Sequence, residues 1–266
     1  MRKKAFKYIY GPVYSWRLKR SLGIDLLSQK EKICTFDCTY CQLGKTLKFT
    51  RERKVYVPSD KILEELKALP SIKIDYLTFS GRGEPALAKN LGEAIRKVKG
   101  LGKGKVAVLT NSTLLSRKNV RRDLLSADFA VLKLDASSQK LLGRINRPAK
   151  GITFASILKG IMQFKREYKG RLGLQIMFIE KNKDSFRELS ELAVKIHPHE
   201  IQINTPLRPC GVKPLSREEI AKITAYFRKI PALKDTKIVS VYEARRARVQ
   251  AISVKDTLKR RGKIEN

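Results

Sequence analysis

The sequence predicts an α/β fold built on a parallel sheet, and three observations predict it. Apolar strand-like segments alternate strictly with segments of helical spacing along nearly the whole chain. The strand-like segments are continuous apolar runs, as expected when helices cover one side of a sheet and side chains fill the other. The polar residues that could do chemistry directly follow those runs. In parallel sheets, that is where sites are built.

The first run is LGIDLL, residues 22–27. After a cysteine-bearing loop, SDKILEELKAL predicts a helix with a Ser59 or Asp60 N-cap and Ile62, Leu63, Leu66 and Leu69 along one face. YLTFSG (76–81) reads as a buried strand, followed by a helix over about 88–99. VAVLTNS (106–112) comes next, then a helix near 117–126 and the strand FAVLKLDA (129–136). A helix over 154–168, the strand LGLQIMFI (172–179) and a helix over 185–197 continue the series. EIQINTP (200–206) is the sixth strand, and 216–230 the closing helix. Six such units argue for right-handed crossovers. An open Rossmann-like sheet and a partial barrel fit the pattern equally well. The expected organisation is an N-terminal approach segment (1–21), a core domain (22–235) and a basic C-terminal extension (236–266) packed on or trailing the core.

The chain has 266 residues, enough for a substantial core, and no apolar run of membrane-spanning length. Its first residues carry charges without the apolar stretch of a secretory signal. A cytoplasmic protein is expected, in which clustered thiols bind metal or do chemistry rather than pair. Fifty-eight Lys and Arg against 25 Asp and Glu give a formal charge of +33. A heat-adapted surface raises both signs of charge and does not explain a twofold imbalance. A polyanionic partner, RNA or DNA, does. The expected phosphate contacts are Arg51, Arg53 and Lys54 near the cysteine loop, and Arg245, Arg246 and Arg248 in the tail.

Cys34, Cys38 and Cys41, spaced C-x3-C-x2-C, can turn three thiolates toward one centre on a single tight loop. Three thiolates suit a [4Fe–4S] cluster with one iron left open. Zinc is the rival: the same three with Cys210, His197 or His199 would close a tetrahedral site. The spacing differs from the paired C-x2-C motifs of zinc ribbons.

CTFDCTYC is similar to the signature of the radical S-adenosylmethionine (SAM) superfamily, with Tyr40 in its aromatic slot. GPVYSWRLKRSLGIDLL, TFSGRGEPAL, LTNSTLL, LKLDA, INRPAKG and INTPLRP resemble, in order, one branch: predicted Fe–S oxidoreductases related to the wybutosine-synthesis enzyme of tRNA. The likeness covers about residues 10–250. It implies a radical SAM partial (β/α)6 TIM-like barrel. Cys34, Cys38 and Cys41 would hold the [4Fe–4S] cluster, and SAM would chelate its open iron. Tyr40 would lie beside the adenine or the cluster. Gly81, Gly83, Glu84 and Pro85 would hold the SAM amino group, with Arg82 pointing outward to phosphate or touching the methionine carboxylate. Asn111, Ser112, Lys133 and Asp135 would contact SAM, the last two alternatively forming a structural ion pair.

Gln175, Met177 and Ile179 share one strand face and would pack or touch adenine, and Asn204 and Arg208 would face substrate. Cys210 could serve substrate or relay hydrogen, but it supplies no second cluster, which separates this chain from the wybutosine enzyme's family. The implied activity is reductive cleavage of SAM to a 5′-deoxyadenosyl radical, fed by an external electron donor and needing no assigned acid or base. RNA, most simply tRNA, is the expected substrate. A protein side chain or small metabolite is the alternative, and a non-catalytic zinc-stabilised RNA-binding module the alternative of another class.

Overall fold

A computed structural model describes residues 6–243 and 249–261. One eight-stranded sheet organises them, built from β1 (Ile9–Ser15), β2 (Lys19–Ile24), β5 (Tyr76–Phe79), β6 (Lys105–Thr110), β7 (Phe129–Lys133), β8 (Arg171–Met177), β9 (Glu200–Asn204) and β10 (Lys237–Ser240). Between β2 and β5 the chain forms a separate two-residue ladder, β3 (Ile33–Cys34) with β4 (Lys48–Phe49). Within the large sheet the order in space is the order in sequence. β1 pairs antiparallel with β2, and every later pairing is parallel.

That order separates the two architectures left open by the periodicity. A Rossmann-like sheet reverses its strand order at a switch point. Here the order never reverses, and the sheet curls into a half-barrel. All six expected strands are present. The two further strands are its edges, β1 and β10.

The helices are α1 (Ser59–Lys67), α2 (Leu91–Gly100), α3 (Lys118–Leu124), α4 (Gln139–Ile145), α5 (Phe154–Glu167), α6 (Phe186–Ile196), α7 (Arg217–Arg228) and α8 (Val254–Arg261). Capping boxes start α5 at Thr153 and α7 at Ser216, each satisfying two free backbone N–H groups. The expected cap of α1 is corrected: Pro58 stands at its N-cap with no side-chain bond, and the Ser59 hydroxyl instead accepts from Asn90 Nδ2 at 3.0 Å. No helix among the described residues is long and apolar enough to cross a membrane.

Strand alternation divides the side chains between two environments. Leu77, Val106, Val108, Ala130 and Leu132 pack in one apolar core with Ile95, Val98 and Ile161 of the helices. Their neighbours form rows across the other face. Thr78, Ala107, Phe129 and Arg171 stand in register, and Leu18 of the β1–β2 hairpin packs against this row. Toward the carboxyl ends the rows turn polar, with Lys133, Gln175 and Gln202 in one and Met177 and Asn204 in the next. The half-barrel thus has an apolar base and a hydrogen-bonding mouth.

The last helix returns to the first strand. Gly11 N donates to Thr257 Oγ1 at 3.1 Å, and buried Arg260 pairs with buried Asp25 at 3.1 Å. This places α8 beside the end of β2, where the cysteine loop begins.

Candidate active site

The cysteine loop is held from two sides by backbone. On one side Ile33 N donates to Arg82 O and Glu84 N donates to Ile33 O, both at 3.2 Å. The GRGEP turn can come this close because Gly83 has φ +152°; a Cβ there would lie 1.7 Å from Ile33 O. Gly81, at φ +138°, is equally confined, its Cβ position being 2.4 Å from the Asp25 carboxyl carbon. On the other side the INRPA segment after α4 grips the loop. Asp37 N donates to Asn146 O, Thr39 N to Ile145 O and Ala149 N to Thr35 O, each at 2.9 Å.

Each thiol of the triad meets a nitrogen donor. Asn111 Nδ2 lies 3.7 Å from Cys34 Sγ, Asn146 Nδ2 3.3 Å from Cys38 Sγ and Lys32 Nζ 3.3 Å from Cys41 Sγ. Donors on sulfur favour the anionic ligand form and tune a cluster's potential. Burial acts against them. It pushes Cys34 up to about 12, with the neighbouring Cys38 and Glu84 adding to the shift, and it pushes Cys38 up to about 11. These thiolates are costly unless a cationic centre takes their charge.

Around the loop lies a buried polar network. Glu84, 2% exposed, accepts from Thr110 Oγ1 (2.6 Å), Ala86 N (3.0 Å) and Asn111 N (2.6 Å). Burial lifts its carboxyl to about 7 despite those donors. Asn111 also donates to Thr35 Oγ1 at 2.7 Å, and Ser112, at φ +70°, accepts from Lys133 N at 3.0 Å. The Tyr40 hydroxyl donates to Asp135, which also accepts from Asn146 Nδ2 (2.9 Å) and Met177 N (2.8 Å). Lys133 Nζ sits 3.7 Å from Asp135 and 4.8 Å from the Tyr40 ring centroid. Asn146 therefore ties Cys38, Tyr40 and Asp135 together. A cavity of about 630 Å³ opens on this constellation, with Tyr40, Cys41, Gly81, Gln175, Met177 and Asn204 in its wall.

A family model described as the radical SAM superfamily matches residues 32–193, more than half of the chain. The chain belongs to the radical SAM superfamily. It is 43% identical over 214 residues to UPF0026 protein slr1464 of Synechocystis sp., covering 80% of this chain and 79% of that protein. The fold is shared with Streptococcus suis SuiB bound to S-adenosylmethionine (16% identity, TM-score 0.58), covering 79% of this chain and 48% of SuiB. This chain thus spans about half of SuiB's length. It is also shared with archaeal TYW1 (17% identity, TM-score 0.57), over 79% of this chain and 72% of that one.

A radical SAM enzyme uses a [4Fe–4S] cluster and SAM and requires a reductant. The donor set fits such a cluster: three thiols on one loop, each with a nitrogen donor, beside a cavity that Cys41 lines. Among the described residues, no three His, Cys, Asp or Glu side chains close on a single point tightly enough to hold one metal ion. The histidines are misplaced for the closed zinc site that the sequence also allows. His199 accepts from Leu172 N at 3.0 Å, at the amino ends of β8 and β9, whereas the cysteine loop lies at the carboxyl ends.

Of the residues expected to touch SAM, Tyr40 and Gly81 line the cavity. Gly83, Glu84, Pro85, Asn111, Ser112, Lys133 and Asp135 belong to the turn and network that shape it. Arg82 donates to Gln29 O (2.7 Å) and Lys30 O (2.6 Å) and lines a cleft on the outer side of the turn. Gln175, Met177, Asn204 and Arg208 line the cavity, while Ile179 is fully buried in the core. Cys210 donates to Val212 O at 3.2 Å, and Gly211 beside it packs on Thr39 O.

Of the expected phosphate contacts, Arg53 is corrected, while Arg51 and Lys54 are exposed. Arg53 is tied to Asp123 and to Ala86 O and Ala88 O, its side chain 7% exposed, so it braces the chain after the cysteine loop. Arg51 donates to Lys150 O at 3.1 Å, and Lys54 pairs with Glu52 at 3.2 Å. Arg245, Arg246 and Arg248 lie outside the described residues. Sequence reading missed Lys32 and Asn146. Asn146 stood inside the quoted INRPAKG motif, but nothing local distinguishes a hub asparagine from a turn asparagine.

Proposed function

We propose that Cys34, Cys38 and Cys41 hold the cluster, that SAM occupies the adjoining cavity, and that the substrate is RNA, most simply tRNA. Cluster and SAM together supply reductive carbon–sulfur cleavage. This chain's residues do the rest. The Gly81–Pro85 turn brings Gly81 to the cavity wall while Glu84 fixes the turn's shape. Tyr40, locked by Asp135 and Asn146, walls the cavity beside Cys41, and the buried network below keeps bulk water away from the thiols.

The observation that carries the RNA reading is a second cleft, of about 530 Å³, sharing Gln42 and Leu43 with the cavity wall. Lys30, Lys32, Lys45, Arg82, Lys255 and Lys259 line it, against the single carboxylate of Glu31. A basic track leading to a reactive cavity suits a phosphate backbone that delivers one base for chemistry. In a tRNA-stimulated assay of 5′-deoxyadenosine formation, tRNA is expected to raise the rate while an equal mass of heparin does not. Neutralising Lys45, Lys255 and Lys259 together should lower the slope of log affinity against log salt by about one unit per lost contact. Equal or absent stimulation by tRNA would move the substrate to a protein side chain or small metabolite.

A further inference from the structure

Among the described residues, several buried arginines face a carboxylate. Arg53 pairs with Asp123, Arg121 with Glu167 at 3.0 Å and Arg260 with Asp25 at 3.1 Å. Three arginines in the wall of the cavity break that pattern: Arg17 from the β1–β2 hairpin, Arg208 from the loop after β9, and Arg261 at the end of α8. Arg17 Nε is buried with no partner among the described residues. Arg208 spends one donor on the backbone, Arg261 O at 2.6 Å. Glu200, the one carboxylate acting on Arg17, is already held by Arg171 at 2.6 Å and Lys237 at 3.5 Å.

The three also act on one another. Burial, and then Arg261, lowers Arg17 to about 10. Burial, Arg261 and Arg17, in that order, lower Arg208 to about 10. Like charges brought together in a half-buried wall without a counter-ion cost stability, and a protein keeps such an arrangement where a ligand supplies the missing charge. One carboxylate is satisfied by one guanidinium fork. Three forks from three separate elements call for an anion with more oxygens and more charge, which is a phosphate. Tyr14 and Trp16 line the same cavity, the Trp16 ring lying under the Arg17 guanidinium at 5.2 Å, and aromatic side chains beside such cations suit a nucleobase. All three arginines lie outside residues 32–193, the span matched by the superfamily model.

We infer that Arg17, Arg208 and Arg261 form a phosphate subsite that seats one nucleotide phosphate of the substrate inside the cavity beside the cysteine loop. The inference deepens the RNA reading and shares its cavity. It also applies to a free nucleotide, whose phosphate is a monoester rather than the diester of a strand.

The test is equilibrium binding to reconstituted protein at about 0.15 M salt, where the diffuse surface charge is screened. The probes are uridine 5′-monophosphate, the diester UpU, and uridine as the phosphate-free control. One of the two phosphates should bind saturably and at least about tenfold more tightly than uridine. Arg17→Gln and Arg208→Gln should each remove that advantage, Arg208→Lys should keep part of it, and Arg144→Gln on the exposed surface should keep all of it. Without ligand, Arg17→Gln should melt no lower than the parent, because it relieves repulsion; a merely structural arginine would lower the melting temperature. Phosphate affinity unchanged in both glutamine variants, or no preference over uridine, overturns the subsite. Preference for the monophosphate alone, with tRNA failing to stimulate 5′-deoxyadenosine formation, keeps the subsite and removes the RNA reading. Stimulation by tRNA with unaltered phosphate binding in the variants does the reverse.

Discussion

Single replacement of Cys34, Cys38 or Cys41 by alanine is expected to reduce bound iron, sulfide and SAM cleavage to background while the protein stays folded. Two thiolates cannot hold the cluster against solvent ligands, and the remaining thiol, Cys210, is already engaged with the backbone. Cys210 donates to Val212 O and lines neither the cavity nor the basic cleft. The fold should survive because the half-barrel core is built from Leu, Ile, Val and Phe of the strands and helices, with the cysteines only partly buried at its edge. Iron and acid-labile sulfide assays beside circular dichroism separate the two effects. Cys210→Ala is the matched control and should retain full iron; loss of iron there would show the ligand set to be misassigned.

Gly83→Ala should damage the site nearly as severely without removing a ligand. The added methyl would sit 1.7 Å from Ile33 O and 2.8 Å from Ile33 C, which are backbone atoms with no rotamer to yield. The conformation at φ +152° is itself unfavourable for any side chain. Relief requires the turn and the cysteine loop to part, breaking the bonds from Ile33 N to Arg82 O and from Glu84 N to Ile33 O. Strain and lost bonds together amount to about 3 kcal/mol or more, a fall of roughly 10 °C in melting temperature. Cluster yield should drop with it although all three cysteines remain. Gly102→Ala is the comparison, a glycine at φ +63° with nothing within 4 Å of its Cβ position, and should cost only about 1 kcal/mol. Parent-like stability and iron content in Gly83→Ala would remove the backbone clasp from the account.

The strands were legible wherever burial made them continuous apolar runs, and so were the helices whose apolar faces spanned several turns. What escaped has physical reasons. β1, IYGPVYS, carries a Gly-Pro that reads as a turn, and β10 has only four residues. α4 has seven residues, too few for helical spacing to show, and its Ser138 cap was visible only once the helix was known. The cysteine loop was legible as chemistry because its spacing is local. Its supports were not: Asn146 reaches Cys38 across 108 positions and Arg260 reaches Asp25 across 235, distances at which sequence pattern says nothing about contact. The same limit explains Arg53, which reads as one more surface cation until Asp123 is found beside it. Glu84 shows the converse. Its motif pointed to a carboxylate facing an ammonium group, whereas both of its oxygens serve the protein's own donors.

The proposed cluster is held by three cysteines on one loop, with an iron left open to the cavity. The most direct test is anaerobic reconstitution followed by metal and sulfide counts and by electron paramagnetic resonance of the reduced protein, with and without SAM. About four irons and four sulfides per chain are expected, with a reduced-cluster signal that changes when SAM is added. A colourless chain holding one zinc, or a cluster whose signal ignores SAM, would contradict it.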